Sequence, residues 1–352
     1  MKIFHLADLH LGSEMNARLS KERARLRREE ICIAFDRVVE RAKREGVRAI
    51  LLSGDVFDVS VPTARDKEFF YDVVRQAPDV LFFYLKGNHD DAEVTEALPN
   101  LKTFTSDAWT TYSLEDGVTV SGIELTAGNA DGYYDTLHLD GNKTNIVMLH
   151  GQVSESKGEE KIQVKSLAGK GIDYLALGHI HSYQDGRLDA RGAYAYSGCL
   201  EPRGFDELGP KGFVRLEVGQ GVSYAFEENS FRRAYLQELD VSGLTGLAEV
   251  LQKAEQELTV SEDDILRLVL VGEAAFDMDG AVNMLQNRWR EKCFALSVKD
   301  ETERALDLSK YDGQVSIEAE FIRIVMANEK LTERQKKEVI SLGLKALSGG
   351  KL

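Results

Sequence analysis

Residues 47–58 read VRAILLSGDVFD, and they predict how the N-terminal half of the chain folds. Val47 to Leu52 form a mostly apolar run of strand length, which breaks at Gly54 into a loop carrying Asp55 and Asp58. Nearly continuous apolar strands are expected where both faces of a sheet are covered. Polar loops at strand ends are where α/β folds place their chemistry. The segment therefore predicts a strand of an α/β fold with functional carboxylates at its end.

The same pattern, an apolar run followed by a polar loop, recurs at four other places between residues 2 and 182. KIFHLA (2–7) leads into DLHLGS, VLFFYL (80–85) into KGNHDD, NIVML (145–149) into HG, and IDYLAL (172–177) into GHIHS. These loops and GDVFD contain five of the seven histidines in the chain. Between the first strands, helices are predicted over residues 20–45, with Ser20 as N-cap, and over residues 64–77.

The residue types in these loops are those that two divalent cations require. Two cations roughly 3.5–4 Å apart can hold a phosphate, generate hydroxide from water and stabilise the leaving oxygen. Such a pair needs a bridging carboxylate, with imidazoles, a second carboxylate and an amide around it. Mixed nitrogen and oxygen ligands suit manganese, iron or zinc. Residues i and i+2 of an extended segment point the same way, so Asp8 with His10, and His179 with His181, can each present two ligands.

In order, the motifs DLH, GDVFD, GNHD, HG and GHIH resemble those of the calcineurin-like metallophosphoesterase superfamily over residues 8–181. Five ordered motifs, each after an apolar run, are a specific signal. FHLADLHLGS (4–13), GDVFDVSVPTARD (54–66) and YSGCLEPRGFDELGPKGF (196–213) are similar to the bacterial SbcD-type DNA repair exonucleases, most closely to the subfamily called YhaO. The resemblance implies an α/β (α+β) fold: a four-layer α/β/β/α sandwich with a smaller α/β cap domain.

The resemblance also assigns roles to individual residues. It implies that Asp8, His10 and His181 bind one metal, that Asn88, His150 and His179 bind the other, and that Asp55 bridges them. His89 is expected to protonate the leaving oxygen or stabilise the transition state, with Asp58 orienting His89. The implied reaction is attack of a metal-bound hydroxide on a DNA phosphodiester, with two ions, expected to be Mn²⁺, as cofactors. Asp90 and Asp91 are expected to cap the following helix instead of binding metal.

The chain is expected to contain three parts. Residues 1–230 are predicted to form the catalytic domain, and residues 231–305, with elements in the order β-α-β-α-β, the cap domain. Residues 306–352 are predicted to form a helical tail, with one helix over residues 317–326 and a second N-capped by Thr332. The resemblance implies that this tail docks an SbcC-like ATPase, although its amphipathic pattern fits intramolecular packing equally well.

Composition fits a protein of the cytoplasm that does not span a membrane. No apolar run approaches the roughly 20 residues needed to cross a bilayer, and the three cysteines are far apart in sequence, with no CxxC pair. The formal net charge of −15 argues against a general nucleic-acid coat protein. Residues 18–48, however, have a basic balance, and a basic patch on an acidic body can steer a phosphate substrate.

Several alternatives stay open at this point. Arg23, Arg27 and Arg203 are candidates for DNA contacts, but charged helix faces are usually solvated, and Arg203 could instead pair with Glu201, Asp206 or Glu207. The resemblance implies a homodimer, for which Phe69, Phe70, Val73 and Val74 are either a contact surface or core. A phosphoesterase acting on a small nucleotide or a phosphoprotein would use the same metal site. A scaffold without activity is disfavoured because all seven ligands and His89 are present.

Overall fold

The computed structural model describes residues 1–15, 19–58, 62–90, 96–130, 132–305 and 308–347. The chain divides into two compact units. One comprises Met1–Tyr235, Ser261–Leu266 and Cys293–Ala295, and the other comprises Leu236–Val260, Arg267–Lys292 and Leu296–Leu352. The domain boundaries expected at residues 230 and 305 stay predictions.

The strands of the described residues follow the predicted order of apolar runs. In chain order they are β1 (Lys2–Leu6), β2 (Ala49–Ser53), β3 (Leu81–Leu85), β4 (Leu101–Thr103), β5 (Thr110–Ser113), β6 (Val118–Gly122), β7 (Thr144–His150), β8 (Gln152–Val153), β9 (Lys161–Ile162), β10 (Tyr174–Gly178), β11 (Gln184–Arg187), β12 (Ala193–Tyr196), β13 (Gly212–Gly219), β14 (Gly221–Glu228), β15 (Ala234–Asp240), β16 (Ile265–Val271), β17 (Glu273–Ala274), β18 (Ala295–Asp300) and β19 (Glu303–Arg304).

The helices of the described residues are α1 (Lys21–Glu45), α2 (Ala64–Arg75), α3 (Tyr133–Thr136), α4 (Val164–Leu167), α5 (Leu247–Glu257), α6 (Asp279–Trp289), α7 (Ile317–Met326) and α8 (Glu333–Leu347), with short 3₁₀ helices at Glu115–Gly117 and Leu308–Tyr311. The predicted helices over residues 20–45, 64–77 and 317–326, and the one N-capped by Thr332, correspond to α1, α2, α7 and α8, although α2 ends at Arg75, two residues earlier than predicted. The Ser20 side chain accepts from the Arg23 N–H at 3.2 Å, which confirms the predicted N-cap of α1. Gly46 ends α1 in the left-handed conformation, and its N–H donates to the carbonyls of Ala42 and Lys43.

Two six-stranded mixed sheets form the first unit. The first sheet has the order β14-β13-β1-β2-β3-β4, in which β1 to β4 run parallel and β13 and β14 add antiparallel at one edge. The second has the order β11-β12-β10-β7-β6-β5, with β12, β10, β7 and β6 parallel. The carboxyl ends of the parallel strands within each sheet therefore share one edge, where sites of α/β proteins form.

Three clusters of buried apolar side chains show that the sheets and helices are layered. Between the sheets, Leu51 and Phe83 of the first pack with Met148 and Ala176 of the second. The outer face of the first sheet is covered by α1 and α2, and that of the second by the four-residue helices α3 and α4 with their flanking loops. The predicted four-layer α/β/β/α arrangement is thus confirmed, with a thin fourth layer.

The residues proposed for a dimer surface belong to the core. Phe70, Val73 and Val74 are 1%, 4% and 0% exposed, and Phe69 packs against the same cluster. Burying such side chains stabilises the fold by roughly 1.5–3 kcal/mol each. A contact surface made of Phe70, Val73 and Val74 is therefore contradicted, because these residues pack against the first sheet, while Phe69 is partly buried against the same cluster.

The second unit has its own elements. Strands β15, β16 and β18 form a three-stranded sheet, and α5 packs with α6. In chain order the elements of this region are β15-α5-β16-β17-α6-β18-β19, which is the predicted β-α-β-α-β order with the two-residue strand β17 inserted before α6 and β19 following. Helices α7 and α8 pack on each other through Ile322, Val325 and Ile340, and Thr332 caps α8 by accepting from the Gln335 N–H at 3.3 Å. Among the described helices, none is both long and apolar enough to cross a membrane.

Candidate metal centre

All five predicted polar clusters lie at the carboxyl ends of central strands. Asp8 follows β1, Asp55 follows β2, and Asn88 follows β3, while His150 ends β7 and His179 follows β10. The loops are tied together by backbone hydrogen bonds. Asp8 N–H donates to the Gly54 carbonyl at 3.0 Å, and His10 N–H donates to the Asp55 carbonyl at 3.0 Å. The folding of two sheets thus brings residues as distant in sequence as His10 and His181, which are 171 positions apart, into one centre.

The backbone of this centre is strained. Asp8, His10, Asp55 and His179 have φ angles of 52°, 49°, 53° and 101°, in the left-handed region that non-glycine residues seldom occupy. These four make up more than half of the non-glycine residues with positive φ in the described part of the chain. Such conformations cost of order 1–3 kcal/mol each and cluster at functional sites. The tight turns aim successive polar side chains at one point instead of letting them alternate.

Glycines leave the room that this crowding requires. A Cβ on Gly87 would lie 2.1 Å from Asp55 Oδ1, and one on Gly178 would lie 1.9 Å from the Ser53 carbonyl oxygen. Both distances are far below van der Waals contact. The glycines in the GNHD and GHIH motifs therefore let two neighbouring loops approach the acidic centre.

His10 and His181 face each other through their Nε2 atoms at 3.1 Å. His10 Nδ1 lies 2.7 Å from Asp58 Oδ1, and His181 Nδ1 lies 2.7 Å from Glu207 Oε1. An ionised carboxylate only accepts, so the position of Asp58 and Glu207 favours the tautomer with the proton on Nδ1 and the lone pair on Nε2 in each ring. Arg203 Nη2 also lies 3.2 Å from His181 Nδ1. Two lone pairs at this separation repel each other unless a cation lies beside both.

The second group has the same character. His150 Nδ1 donates to the Ser53 carbonyl at 2.9 Å, so the neutral ring presents its Nε2 lone pair, 3.0 Å from Asn88 Oδ1 and 3.4 Å from Asp55 Oδ2. His179 Nδ1 lies 3.3 Å from the same amide oxygen. Burial lowers the pKa of His150, but Asp55 raises it by more, to about 9. Asp55 is therefore the polar partner with the strongest effect on the His150 ring.

Asp8 and Asp55 form the acidic centre between the two groups. They are 1% and 2% exposed. Candidate ligand atoms of Asp8, His10 and His181 lie within 4.8 Å of one another, as do those of Asp8, Asp55 and His150. Burial raises the pKa of Asp55, but His150 and His10 lower it below its usual range. Buried carboxylates, imidazole lone pairs and an amide oxygen that converge in this way fit divalent cations.

His89 stands at the rim of the centre. It is exposed, and its ring centroid lies 5.4 Å from that of His10. Its backbone N–H donates to Asp55 Oδ1 at 3.0 Å. The side chain is therefore near the candidate ligands and open to solvent, which suits the predicted proton donor better than a ligand.

Asp58 does not have the predicted contact. Its Oδ1 lies 2.7 Å from His10 Nδ1 and accepts from Arg203 Nη1 at 2.7 Å, and its described partners do not include His89. The prediction that Asp58 orients His89 is corrected: its carboxylate orients His10. The physical reason is the tight turn at His10, which directs Nδ1 of the ring towards the end of the GDVFD loop.

The three arginines proposed as substrate contacts have different surroundings. Arg27 is 0% exposed and forms hydrogen bonds to Glu30, Glu201 and the Pro202 carbonyl, so the prediction that it binds substrate is wrong. Arg23 is half-buried, with its guanidinium 5.6 Å from the Phe294 ring centroid. Arg203 pairs with Asp58 and Glu207. The pairing with Glu207 is one of the alternatives to a substrate contact that the sequence left open.

Sequence reasoning named Glu207 and Asp90 but missed their role as carboxylates that support the centre. Glu207 holds His181, and the signal for it was the FDEL segment shortly after GHIH. Asp90 is 2% exposed and accepts from the backbone N–H groups of Val56, Phe57 and Gly87. It therefore fixes the GDVFD loop. In the sequence, the only indication of this role for Asp90 is its place in the GNHD motif. Residues 91–95, including Asp91, lie outside the described residues, so the predicted capping of a following helix stays a prediction.

The fold and the centre define a metal-dependent phosphoesterase of the two-sheet type. The sequence model of the calcineurin-like phosphoesterase family matches residues 1–183, slightly more than half of the chain. The chain therefore belongs to the calcineurin-like phosphoesterase family, as its motifs predicted. Members of this family typically bind two divalent metal ions, for which the centre offers candidate ligands.

Named relatives extend the similarity beyond the matched region. "Uncharacterized metallophosphoesterase YhaO" of Bacillus subtilis is 26% identical over 351 residues, covering 89% of this chain and 84% of that protein. "DNA double-strand break repair protein Mre11" of Aeropyrum pernix is 25% identical over 236 residues, covering 60% of this chain and 56% of that protein. Mre11 of Sulfolobus acidocaldarius is 23% identical over 309 residues, covering 81% and 79%. The predicted similarity to YhaO is confirmed.

Proposed function

We propose that this chain is a two-metal phosphodiesterase that cleaves DNA, with Mn²⁺ as its cofactor. The observation that carries the proposal is the convergence of acceptor atoms from Asp8, His10, Asp55, Asn88, His150, His179 and His181 on one acidic centre. Asp55 Oδ2 lies 3.9 Å from His10 Nε2 and 3.4 Å from His150 Nε2, which supports its proposed role as the bridge between two ions.

The metal ligands and His89 have separate roles in the proposed reaction. When bound, the two ions supply charge neutralisation at the phosphate and activation of water. The carboxylates Asp8 and Asp55 hold the ions, and His89, exposed beside His10, gives a proton to the leaving oxygen. Because Asn88 and His89 are neighbours, the same loop would place a metal ligand next to the proton donor.

DNA is proposed as the substrate on two grounds. Two of the relatives carry the name of a DNA double-strand break repair protein, and the motifs resemble those of SbcD-type exonucleases. The basic residues of α1 give little further support for DNA as the substrate. In α1, Arg25, Arg27, Arg41 and Lys43 already pair with acidic side chains. DNA contact by Arg23 stays a prediction.

The test is Mn²⁺-dependent cleavage of an end-labelled linear DNA by the purified chain, with EDTA as the metal-free reference. His89→Ala should lower the rate by roughly 10²–10⁴-fold, since general acid catalysis contributes about that much, and Mn²⁺ binding should be retained. His138→Ala is the matched control, because His138 is exposed and lies outside the five motifs. Equal cleavage by the wild type and His89→Ala would refute the role of His89.

The acidic net charge of −15 favours one other substrate class, a small nucleotide or a phosphoprotein. The metal centre would be the same, since it contacts only the phosphate. Hydrolysis of bis(p-nitrophenyl) phosphate without cleavage of single- or double-stranded DNA would support this second function and reject the first.

An SbcC-like ATPase is the proposed partner, docked on the hairpin of α7 and α8. Ile317, Ile324 and Leu342 are 72%, 63% and 56% exposed there. Neighbouring exposed apolar side chains of this kind are typical of a surface that binds a partner protein. Changing Ile324 and Leu342 to Asp should abolish co-elution with such an ATPase and leave Mn²⁺ binding unchanged; retained co-elution would place the contact elsewhere. Light scattering of the purified chain tests the proposed homodimer. A complex of the chain with an ATPase on DNA would place the chain in the cytoplasm.

A further inference from the structure

Arg203 joins two carboxylates that each hold one imidazole of the candidate centre. Arg203 Nη1 donates to Asp58 Oδ1 at 2.7 Å, and Arg203 Nε donates to Glu207 Oε1 at 3.1 Å. Asp58 Oδ1 in turn lies 2.7 Å from His10 Nδ1, and Glu207 Oε1 lies 2.7 Å from His181 Nδ1. Arg203 Nη2 also lies 3.2 Å from His181 Nδ1. One guanidinium therefore fixes the separation of the two carboxylates, and through them, together with its direct contact to His181, the orientation of both rings.

Further contacts hold this arrangement in place. The backbone N–H of Arg203 donates to Glu207 Oε2 at 2.7 Å, and Lys211 Nζ donates to the His181 carbonyl at 2.8 Å. The side chains of Arg203, Asp58 and Glu207 are 20%, 17% and 13% exposed, so the ion pairs are largely shielded from water. Shielded, bidentate contacts of this kind hold geometry better than exposed pairs do.

We infer that Arg203, Asp58 and Glu207 form a clamp that positions His10 and His181 for one metal ion, and that Arg203 acts through the two carboxylates and not on substrate. The inference rests on the proposed metal site. A carboxylate that accepts from Nδ1 fixes the tautomer with Nε2 free and raises the basicity of that nitrogen. The guanidinium offsets the charge of the two added carboxylates, so that an otherwise acidic centre keeps both of them ionised.

Direct contact between Arg203 and substrate is the competing explanation. Arg203 and Asp58 line a cavity of about 370 Å³ together with Ser13, Met15 and Phe205, so a substrate phosphate could approach the guanidinium. The two explanations differ in what a substitution changes. A substrate contact alters KM and leaves metal binding intact, whereas the clamp alters metal binding in the absence of any substrate.

The experiment is Mn²⁺ titration of the full chain by calorimetry, without substrate, with the melting temperature of the metal-free chain as the control for folding. Glu207→Ala and Arg203→Met should each weaken one of two Mn²⁺ sites by roughly 10–100-fold, the usual effect of removing such a partner of a ligand. Glu207→Gln, whose amide oxygen can still accept from Nδ1, should recover most of the loss. Glu228→Gln, an exposed carboxylate paired with Arg233, is the matched control.

A further variant separates the clamp from substrate contact. Arg203→Met introduced into Asp58→Ala/Glu207→Ala should add little, because Arg203 would have no carboxylate or amide oxygen of the clamp left to hold. An equal loss of affinity in both backgrounds, or an unchanged Mn²⁺ affinity with a raised KM for DNA, would overturn the inference. If the wild type itself bound no Mn²⁺, the proposed function would fail, whereas wild-type binding with unaffected variants would reject only the clamp.

Discussion

Gly87→Ala places one methyl group against the proposed bridging ligand. The new Cβ would lie 2.1 Å from Asp55 Oδ1, 2.6 Å from Asp55 N and 2.8 Å from Asp55 Cγ. Ordinary van der Waals contact begins near 3.4 Å, so the carboxylate must move by about 1 Å. Gly87 has no positive φ, which means that the substitution acts through this contact and not through backbone strain.

A displacement of about 1 Å is large for a metal ligand, whose bond lengths are held to within about 0.2 Å. We therefore expect Gly87→Ala to lose affinity for both ions, by roughly 10²-fold or more, since even partners of ligands contribute 10–100-fold. Overpacking should also cost about 1–3 kcal/mol of stability. The assay is Mn²⁺ titration by calorimetry, with melting temperatures measured with and without Mn²⁺.

Gly141→Ala is the matched control, because a Cβ there meets no atom within 4 Å and Gly141 also lacks a positive φ. It should bind Mn²⁺ as the wild type does. If Gly87→Ala bound both ions with wild-type affinity, Asp55 would not be a shared ligand, and the assignment of the centre would be wrong.

Two other substitutions test the assignment of Asp55 as the bridging ligand and of Arg27 as a buried structural residue. Asp55→Ala should weaken both Mn²⁺ sites at once, and loss of a single ion in the titration would place the bridge elsewhere. Arg27→Met should lower the free energy of unfolding by about 3–5 kcal/mol, because it leaves Glu201 and part of Glu30 as uncompensated buried charges. Denaturant unfolding measures this cost; an unchanged stability combined with weaker DNA binding would restore Arg27 as a substrate contact.

The strand-and-loop frame could be predicted because its signals are local. Each of β1, β2, β3, β7 and β10 is a mostly apolar run that ends within two residues of a Gly or an acid, so strand, turn and functional residue are close in sequence. The caps of α1 and α8 were predictable for the same reason, since Ser20 and Thr332 act on N–H groups three residues away.

The support around the site could not be predicted, because its partners are distant in sequence. Arg27 meets Glu201 across 174 residues, and Arg203 meets Asp58 across 145. A basic residue on a helix has the same local pattern whether it faces solvent or a buried acid, so Arg27 was misassigned. The left-handed conformations of Asp8 and His10 likewise depend on the hydrogen bonds between loops, which the sequence does not display.

The central claim is tested most directly by locating bound metal. Crystals of the wild-type chain grown with Mn²⁺ should show two anomalous scattering peaks, one beside Asp8, His10 and His181 and one beside Asn88, His150 and His179, with Asp55 between them. A single peak, peaks away from these residues, or no peak at saturating Mn²⁺ would contradict the account of a two-metal phosphoesterase.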